Sequence, residues 1–370
     1  LKCFEAHTAG PGCPWAGGHA TGSPPGRLVA MQLSDPLGDG GDSTGLKDQE
    51  NISAQSAEIG SAAFFTVKPS ELHVRSVLGN GAQAKVYKAV WTRSFAASTS
   101  SIVVAVKQLH ADLGHVYRDR EALALLTDHP NLVKCFDSTL DPPYLVVTEF
   151  CSGGSLFDLL YNSRQELTLR QRVKILVDVA AGMRYLHAQK PCILHRDLKS
   201  SNVLLTKLIR STEQEPFAKV SDFGLARTSS GTSSIAMMTV GVGTWRWMAP
   251  EVFDGDDNGP YDERADVFSF AILMYEVLLR KIPYSEQFPV DSTDPRIGLH
   301  VCLGGRPSLL GVTPDFPAVL SELMQQSWHR DASNRPGFEQ LERELRNLLA
   351  ELPVLAETTT GHAPGAAGAA

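Results

Sequence analysis

"ILHRDLKSSNVLL", residues 193–205, sets His195, Arg196, Asp197, Lys199 and Asn202 within eight positions, between two apolar runs. An aspartate with an asparagine five residues on suits a base beside a metal ligand. The same polar residues would also fit an exposed loop, so what flanks them decides the reading.

Downstream, "KVSDFGLAR" (219–227) supplies Asp222 ahead of Phe223 and Gly224. An acidic residue before a glycine in a turn suits a hard cation such as Mg²⁺, which prefers oxygen ligands. Far upstream, "LGNGAQAKVYKAVW" (78–91) puts Gly79 and Gly81 between two strand-like runs, where glycine lets backbone approach a ligand closely. The pattern is GxGxxA, with Ala84 at the third glycine position, and an ordinary hairpin turn would look similar. "VAVK" follows and ends in Lys107 inside an apolar strand. A buried, unpaired ammonium is very costly, so Lys107 needs a negative partner. A nucleotide phosphate and a helix carboxylate would both serve, and Glu121 in "YRDREALALLTDHPNLV" is the natural carboxylate.

The rest of the chain bounds these readings. Its 370 residues suffice for one two-lobed domain or two ordinary ones, and 43% hydrophobic with 20% charged residues fits a globular protein. The net charge of −7 argues against broad attraction to nucleic acid or anionic membrane. Six scattered cysteines without a CxxC pair speak against a disulfide framework or zinc site and for a reducing compartment, so the expected location is cytoplasmic. No run approaches the ~18 apolar residues of a membrane span. "FAILMYEVLL" (270–279) contains Glu276 and reads as a buried helix. The chain opens at Leu1 with no initiator Met and no signal-peptide pattern, which leaves an upstream anchor or sensor domain open.

Residues 1–67 are rich in Gly, Pro, Ser and Ala and read as a disordered linker, with Cys3, His7, Cys13 and His19 untied. Residues 68–350 change character. "LHVRSVLG", "AKVYKAVW" and "SIVVAVKQL" read as a strand meander. "RVKILVDVAAGMRYL" places Val173, Leu176, Val177, Ala180 and Met183 on one helical face. "ADVFSFAILMYEVLL" is apolar nearly all round, as a helix inside a lobe would be, and "FEQLERELRNLL" is amphipathic. Strands first and helices later predict an α+β fold, a small β-rich lobe joined to a larger helical one. Residues 351–370 read as a disordered tail.

Taken together and in this order, the glycine loop, VAVK, HRDLKSSN, DFG and APE resemble the protein kinase family over roughly residues 71–349. The resemblance implies ATP and Mg²⁺ as cofactors. It places Leu78, Gly79, Asn80, Gly81, Val86, Ala105, Lys107 and Leu204 around ATP, with Thr148 as gatekeeper and Glu149 and Cys151 as hinge contacts to adenine. Lys107 would hold the α- and β-phosphates and pair with Glu121. The spacing from Glu121 to "HPN" is one residue short for the family, so Asp119 stays as the alternative. Asp197 would receive or orient the substrate hydroxyl proton, Lys199 would neutralise charge on the transferring group, and Asn202 and Asp222 would hold Mg²⁺.

In "GVGTWRWMAPE" (241–251) the resemblance makes Thr244 a substrate-docking contact and Trp247 packing, and pairs Glu251 with Arg335. Arg196 would dock a phosphate carried by the activation segment, at Ser233, Ser234 or Thr239, placed there by an upstream kinase or by autophosphorylation in trans. "HRDLKSSN" and "GTWRWMAPE" look like the tyrosine-kinase-like group, which implies protein substrates and serine/threonine specificity. Dual specificity and a pseudokinase scaffold are the other readings, though Lys107, Asp197, Asn202 and Asp222 are all present.

Overall fold

β-branched residues in alternation favour strands, because one face of the pleat can then be buried. In the computed structural model they give β1 (Leu72–Asn80), β2 (Ala84–Phe95), β3 (Ser98–Leu109), β4 (Cys135–Ser138) and β5 (Leu145–Glu149). These form one antiparallel sheet in the order β1-β2-β3-β5-β4. The described residues are 67–81, 84–95, 98–109, 128–139, 143–222, 227–228, 244–254, 262–290, 294–309 and 316–354. The expected linker, apart from Val67, and the tail beyond 354 lie outside them.

Val104 and Val106 of β3 join Ala89, Trp91, Leu145 and Val147 in the small core of this sheet. The side-chain period of two therefore turns Ala105 and Lys107 to the opposite face. Lys107 stands opposite Val86 on β2 and Val146 on β5.

The second layer is helical. α1 (Leu169–His187) starts in a capping box, in which Thr168 accepts from the Gln171 amide and Gln171 reaches back to the Thr168 N–H. The face read from the sequence, Val173, Leu176, Val177, Ala180 and Met183, is buried. Gly182 lets this helix close on the segment after residue 128, since a Cβ there would lie 2.8 Å from the Asn131 carbonyl oxygen. Two short antiparallel pairs come next, β6 (Ile193–Leu194) with β9 (Arg227–Thr228) and, between them in the chain, β7 (Val203–Leu205) with β8 (Ala218–Val220).

α2 (Pro250–Asp254) precedes α3 (Arg264–Leu279), whose side chains are buried on every face, Asp266 and Glu276 included. α3 ends at Arg280, which is left-handed at φ 53°. The Arg280 guanidinium donates to the carbonyls of Leu159, Leu160, Ser163 and Gln165 and so anchors the Asp158–Asn162 turn. α4 (Arg296–Cys302), α5 (Ala318–Ser327) and α6 (Phe338–Glu351) complete the layer. α6 is clamped to α1 by the Arg184–Glu342 pair. This is the α+β, two-lobed arrangement expected from the sequence. Among the described residues no helix is long and apolar enough to cross a membrane.

Candidate active site

The site is organised around a short loop between strands β6 and β7. β6 ends at Leu194 and β7 begins at Val203, so residues 195–202 leave and re-enter structure that is already paired. Asp266 of α3 holds the start of the loop by its backbone. Its carboxylate accepts the N–H groups of His195 and Arg196, both at 2.8 Å. Arg196 is left-handed at φ 67°, a conformation uncommon for a residue with a Cβ. Burial alone would raise the Asp266 carboxyl. The hydrogen bond and charge of His187, with His195 and the Arg196 N–H, outweigh it and hold the group below the usual carboxylate range.

His195 is fully buried and is locked by its two ring nitrogens. The Asp197 N–H donates to Nδ1 at 3.2 Å, so Nε2 carries the proton and donates to the Ser221 carbonyl at 3.0 Å. Ser221 in turn gives its N–H and hydroxyl to the Asn202 carbonyl, at 2.8 and 2.9 Å. Both ends of the loop are thus bonded to the residue that precedes Asp222.

This framing brings the predicted side chains together. Asp197 Oδ1 lies 2.8 Å from the Lys199 ammonium. Asp197 Oδ2 accepts from Asn202 Nδ2 at 2.9 Å, and the same nitrogen donates to the Asp197 carbonyl at 2.7 Å. Lys107 reaches across from β3 and places its ammonium 2.6 Å from Asp222 Oδ1. Asp222 is also left-handed, at φ 64°.

β5 leads into the connection between the lobes. Thr148 stands opposite Ala105. The Glu149 carboxylate accepts from Lys219 Nζ at 2.6 Å and from the Lys134 N–H at 2.7 Å. Cys151 is buried, and burial, with the Glu149 charge adding to it, pushes its thiol up to about 12, so it stays protonated at neutral pH. Gly153 donates to the Leu205 carbonyl, and a Cβ at this position would fall 2.4 Å from the Lys207 carbonyl oxygen. Only glycine fits that approach. In the β1–β2 turn the Gly81 N–H closes on the Ala84 carbonyl, whereas a Cβ at Gly79 would meet nothing within 4 Å.

Residues 72–345 match the family described as protein tyrosine and serine/threonine kinase. The chain belongs to this kinase family. Among its relatives are the serine/threonine-protein kinase STY46 of Arabidopsis thaliana, 32% identical over 74% of this chain and 44% of the relative, and STY17 of the same plant, 36% identical over 60% and 36%. The serine/threonine-protein kinase TNNI3K of Mus musculus is 31% identical over 85% of this chain and 35% of its own length. The chain therefore spans less than half the length of these curated relatives. They accord with the tyrosine-kinase-like resemblance.

Membership of a kinase family implies use of ATP. The donor set suits Mg²⁺ as well. Asn202 commits its amide nitrogen to Asp197, which leaves the side-chain carbonyl oxygen as its ligating atom, and Asp222 adds a carboxylate. Among the described residues no cluster of three or more His, Cys, Asp or Glu forms a metal cage. Mg²⁺ commonly takes one or two protein oxygens and completes its shell with phosphate oxygens and water, so two such ligands are what a nucleotide-borne ion needs.

The stretch from Thr244 to Glu251 is equally well anchored. Thr244–Trp247 forms a 3₁₀ turn. Trp247 is buried, its indole N–H donates to Glu276 Oε2 at 2.6 Å, and its carbonyl accepts from Ser269 Oγ at 2.7 Å. Trp245 packs edge-on to Phe253, with ring centroids 5.5 Å apart. Arg335, its side chain fully buried, grips both oxygens of Glu251 at 2.6 and 2.8 Å, the pairing expected from the sequence. Glu121, Asp119, Ser233, Ser234 and Thr239, and the Thr244 side chain, fall outside the described residues.

Sequence reading passed over Glu276. It accepts from Ser200 Oγ at 2.7 Å and Tyr161 OH at 3.0 Å, besides Trp247. The available signal was one carboxylate in an otherwise apolar helix, since a buried acid must find partners.

Proposed function

We propose that the chain catalyses transfer of the ATP γ-phosphoryl group to serine or threonine hydroxyls of protein substrates, as a cytoplasmic step in signal transduction. The observation that carries this reading is the Asp197 carboxylate, held between the Lys199 ammonium and the Asn202 amide. A carboxylate fixed by one hydrogen bond and one ion pair is oriented to receive a proton from an approaching hydroxyl. As the substrate oxygen bonds to the γ-phosphorus, the bond to the β,γ-bridging oxygen breaks, ADP leaves, and the hydroxyl proton passes to Asp197. Lys199 lies beside that point and offsets negative charge on the transferring group.

Lys107 supplies a cation to the α- and β-phosphates, and Glu121 is its proposed carboxylate partner when nucleotide is bound. Gly79 and Gly81, with Leu78 and Asn80, cover the phosphates; Val86, Ala105 and Leu204 sandwich the base; Thr148, Glu149 and Cys151 line its edge. Asn202 and Asp222 would hold Mg²⁺, which when bound screens the phosphate charges. The protein's contribution is then positioning and charge neutralisation rather than covalent chemistry.

Arg196 is proposed to dock a phosphate on Ser233, Ser234 or Thr239, which would order the segment leading to Thr244. Replacement of those three by Ala should prevent preincubation with Mg-ATP from restoring activity lost to phosphatase. Radiolabelled ATP transfer to generic proteins, followed by phospho-amino-acid analysis, tests the main reading. Labelled phosphoserine and phosphothreonine are expected, and nucleotide binding without transfer would instead favour the scaffold reading.

A further inference from the structure

A side chain of β2 reaches the connection between the lobes, although β3 lies between β2 and β5 in the sheet. The Lys88 ammonium stands over the Phe150 ring, 4.7 Å from its centroid. Lys88 is opposite Ala105 on β3, and Ala105 is opposite Thr148 on β5, so the three form one row across the sheet. Directly opposed residues share a face. Lys88 therefore lies on the face of Val86, Ala105 and Lys107, and Phe150 follows the end of β5 at Glu149. We propose that Lys88 is a positioning residue for ATP, whose cation clasps the β1–β2 hairpin to the Phe150 ring and so sets how closely that hairpin covers the nucleotide.

The inference rests on the proposed nucleotide site and adds a residue to it. β2 is laddered to β3 from Ala84 opposite Leu109 to Phe95 opposite Ser98, and it has no backbone pairing with β5. A ladder fixes register, but the twist between neighbouring strands ranges over roughly 10–35°. Hydrogen bonds to β3 therefore leave open how far β2, and the Gly79–Gly81 turn ahead of it, leans over the lobe connection. A contact that crosses β3 removes that freedom. Lys88 and Phe150 are both half-buried, so the lysine stem can lie along the sheet while its ammonium faces the ring.

The chemistry predicts which substitutions the clasp tolerates. Lys88→Met keeps an unbranched stem and removes the charge, whereas Lys88→Arg keeps a cation that stacks on aromatic faces. Phe150→Leu keeps an apolar side chain and removes the π face. A cation over an aromatic ring at a half-exposed position changes an equilibrium about two- to fivefold. When the hairpin is less often in place, apparent affinity for nucleotide falls with the fraction of molecules that remain competent. Asp197 and Lys199 belong to the loop between β6 and β7, which the clasp does not touch, so the loss should fall on ATP and spare the protein substrate.

The test uses the full chain and these variants, with ATP affinity measured by calorimetric titration and transfer to casein measured at varied ATP and varied casein. Lys88→Met and Phe150→Leu are each expected to weaken ATP binding about threefold and to raise KM for ATP alike, with KM for casein unmoved. The double variant should lose less than the product of the two single losses, because one contact is shared by both. Lys88→Arg should restore the affinity that Lys88→Met loses. Wild-type ATP affinity in folded Lys88→Met, an arginine variant as weak as the methionine one, or single losses that multiply in full would each overturn the clasp. A wild-type chain that binds no ATP would overturn the proposed nucleotide site, and this inference with it. A chain that binds ATP but transfers nothing would overturn the transfer reading alone, since the titrations still decide the clasp.

Discussion

The Lys107 ammonium lies 2.6 Å from the Asp222 carboxylate, although 115 residues separate them in the chain. The pair connects the sheet layer to the end of the β7–β8 hairpin. Lys107→Met and Asp222→Asn should each lower turnover by at least ~10², about 2.7 kcal/mol of barrier. Single-turnover transfer by folded variants at wild-type rate would refute this.

Arg335 fills a fully buried position with five donors, and it serves Glu251 and the carbonyls of Arg264, His329 and Arg330. Arg335→Ala should destabilise the chain by about 3–5 kcal/mol, because a paired buried charge loses its partner. Arg335→Lys should recover only part of that, as an ammonium cannot reproduce the two-pronged grip. Urea unfolding midpoints decide the matter, and a lysine variant as stable as wild type would count against it.

Gly298 on α4 makes room for Phe253, since a Cβ there would stand 2.2 Å from the ring. Phe253 carries Trp245 edge-on, so the disturbance should travel to the Thr244–Trp247 turn. Gly298→Ala is expected to cost about 1–3 kcal/mol of stability through overpacking. It should also reduce kcat/KM for casein while leaving KM for ATP alone, with partial recovery on adding Phe253→Leu. An equal fall in nucleotide and protein parameters would contradict this route.

Asp266 and Glu276 lie ten positions apart on α3 and respond oppositely to pH. The Asp266 carboxyl is held low, so its stabilisation is present above the ordinary carboxylate value and is lost as pH falls through the folded one. Burial pushes the Glu276 carboxyl up to about 7, against the pull of Ser200, Trp247 and Tyr161. The folded chain then binds that proton more tightly than the unfolded chain. Its contribution is full below about pH 4.5 and declines as pH rises to about 7, by about 3 kcal/mol in all. The stability difference between Glu276→Gln and wild type should therefore drift by that amount between pH 4.5 and 8. A constant difference across that range would be inconsistent with a raised Glu276.

Much of this was legible because periodicity and short motifs are local properties. The faces of α1 and α6, the all-round burial of α3 and the polar cluster from His195 to Asn202 followed from spacing alone. The Glu251–Arg335 pair was accessible only through the resemblance, since 84 residues intervene. What spacing could not provide was convergence. Lys107 demanded a carboxylate, but no local rule distinguishes Glu121 from Asp222. Glu276 looked like an interruption in an apolar run, because its three donors come from three separate segments. Arg280 was silent too, as its role depends on a left-handed helix end and on carbonyls more than 110 positions earlier.

The burial of α3 on every face has a consequence for how the protein breathes. Amide hydrogens of this helix can reach water only when the surrounding lobe opens as a whole, so their exchange should report the global unfolding free energy. The backbone N–H groups of His195 and Arg196, fastened to Asp266, should share that slow class even though they sit in a loop. β1, with side chains exposed along most of its length, should exchange orders of magnitude faster through local fraying. The same molecule thus pairs a slowly exchanging floor at Asp266 with a fast-exchanging edge strand.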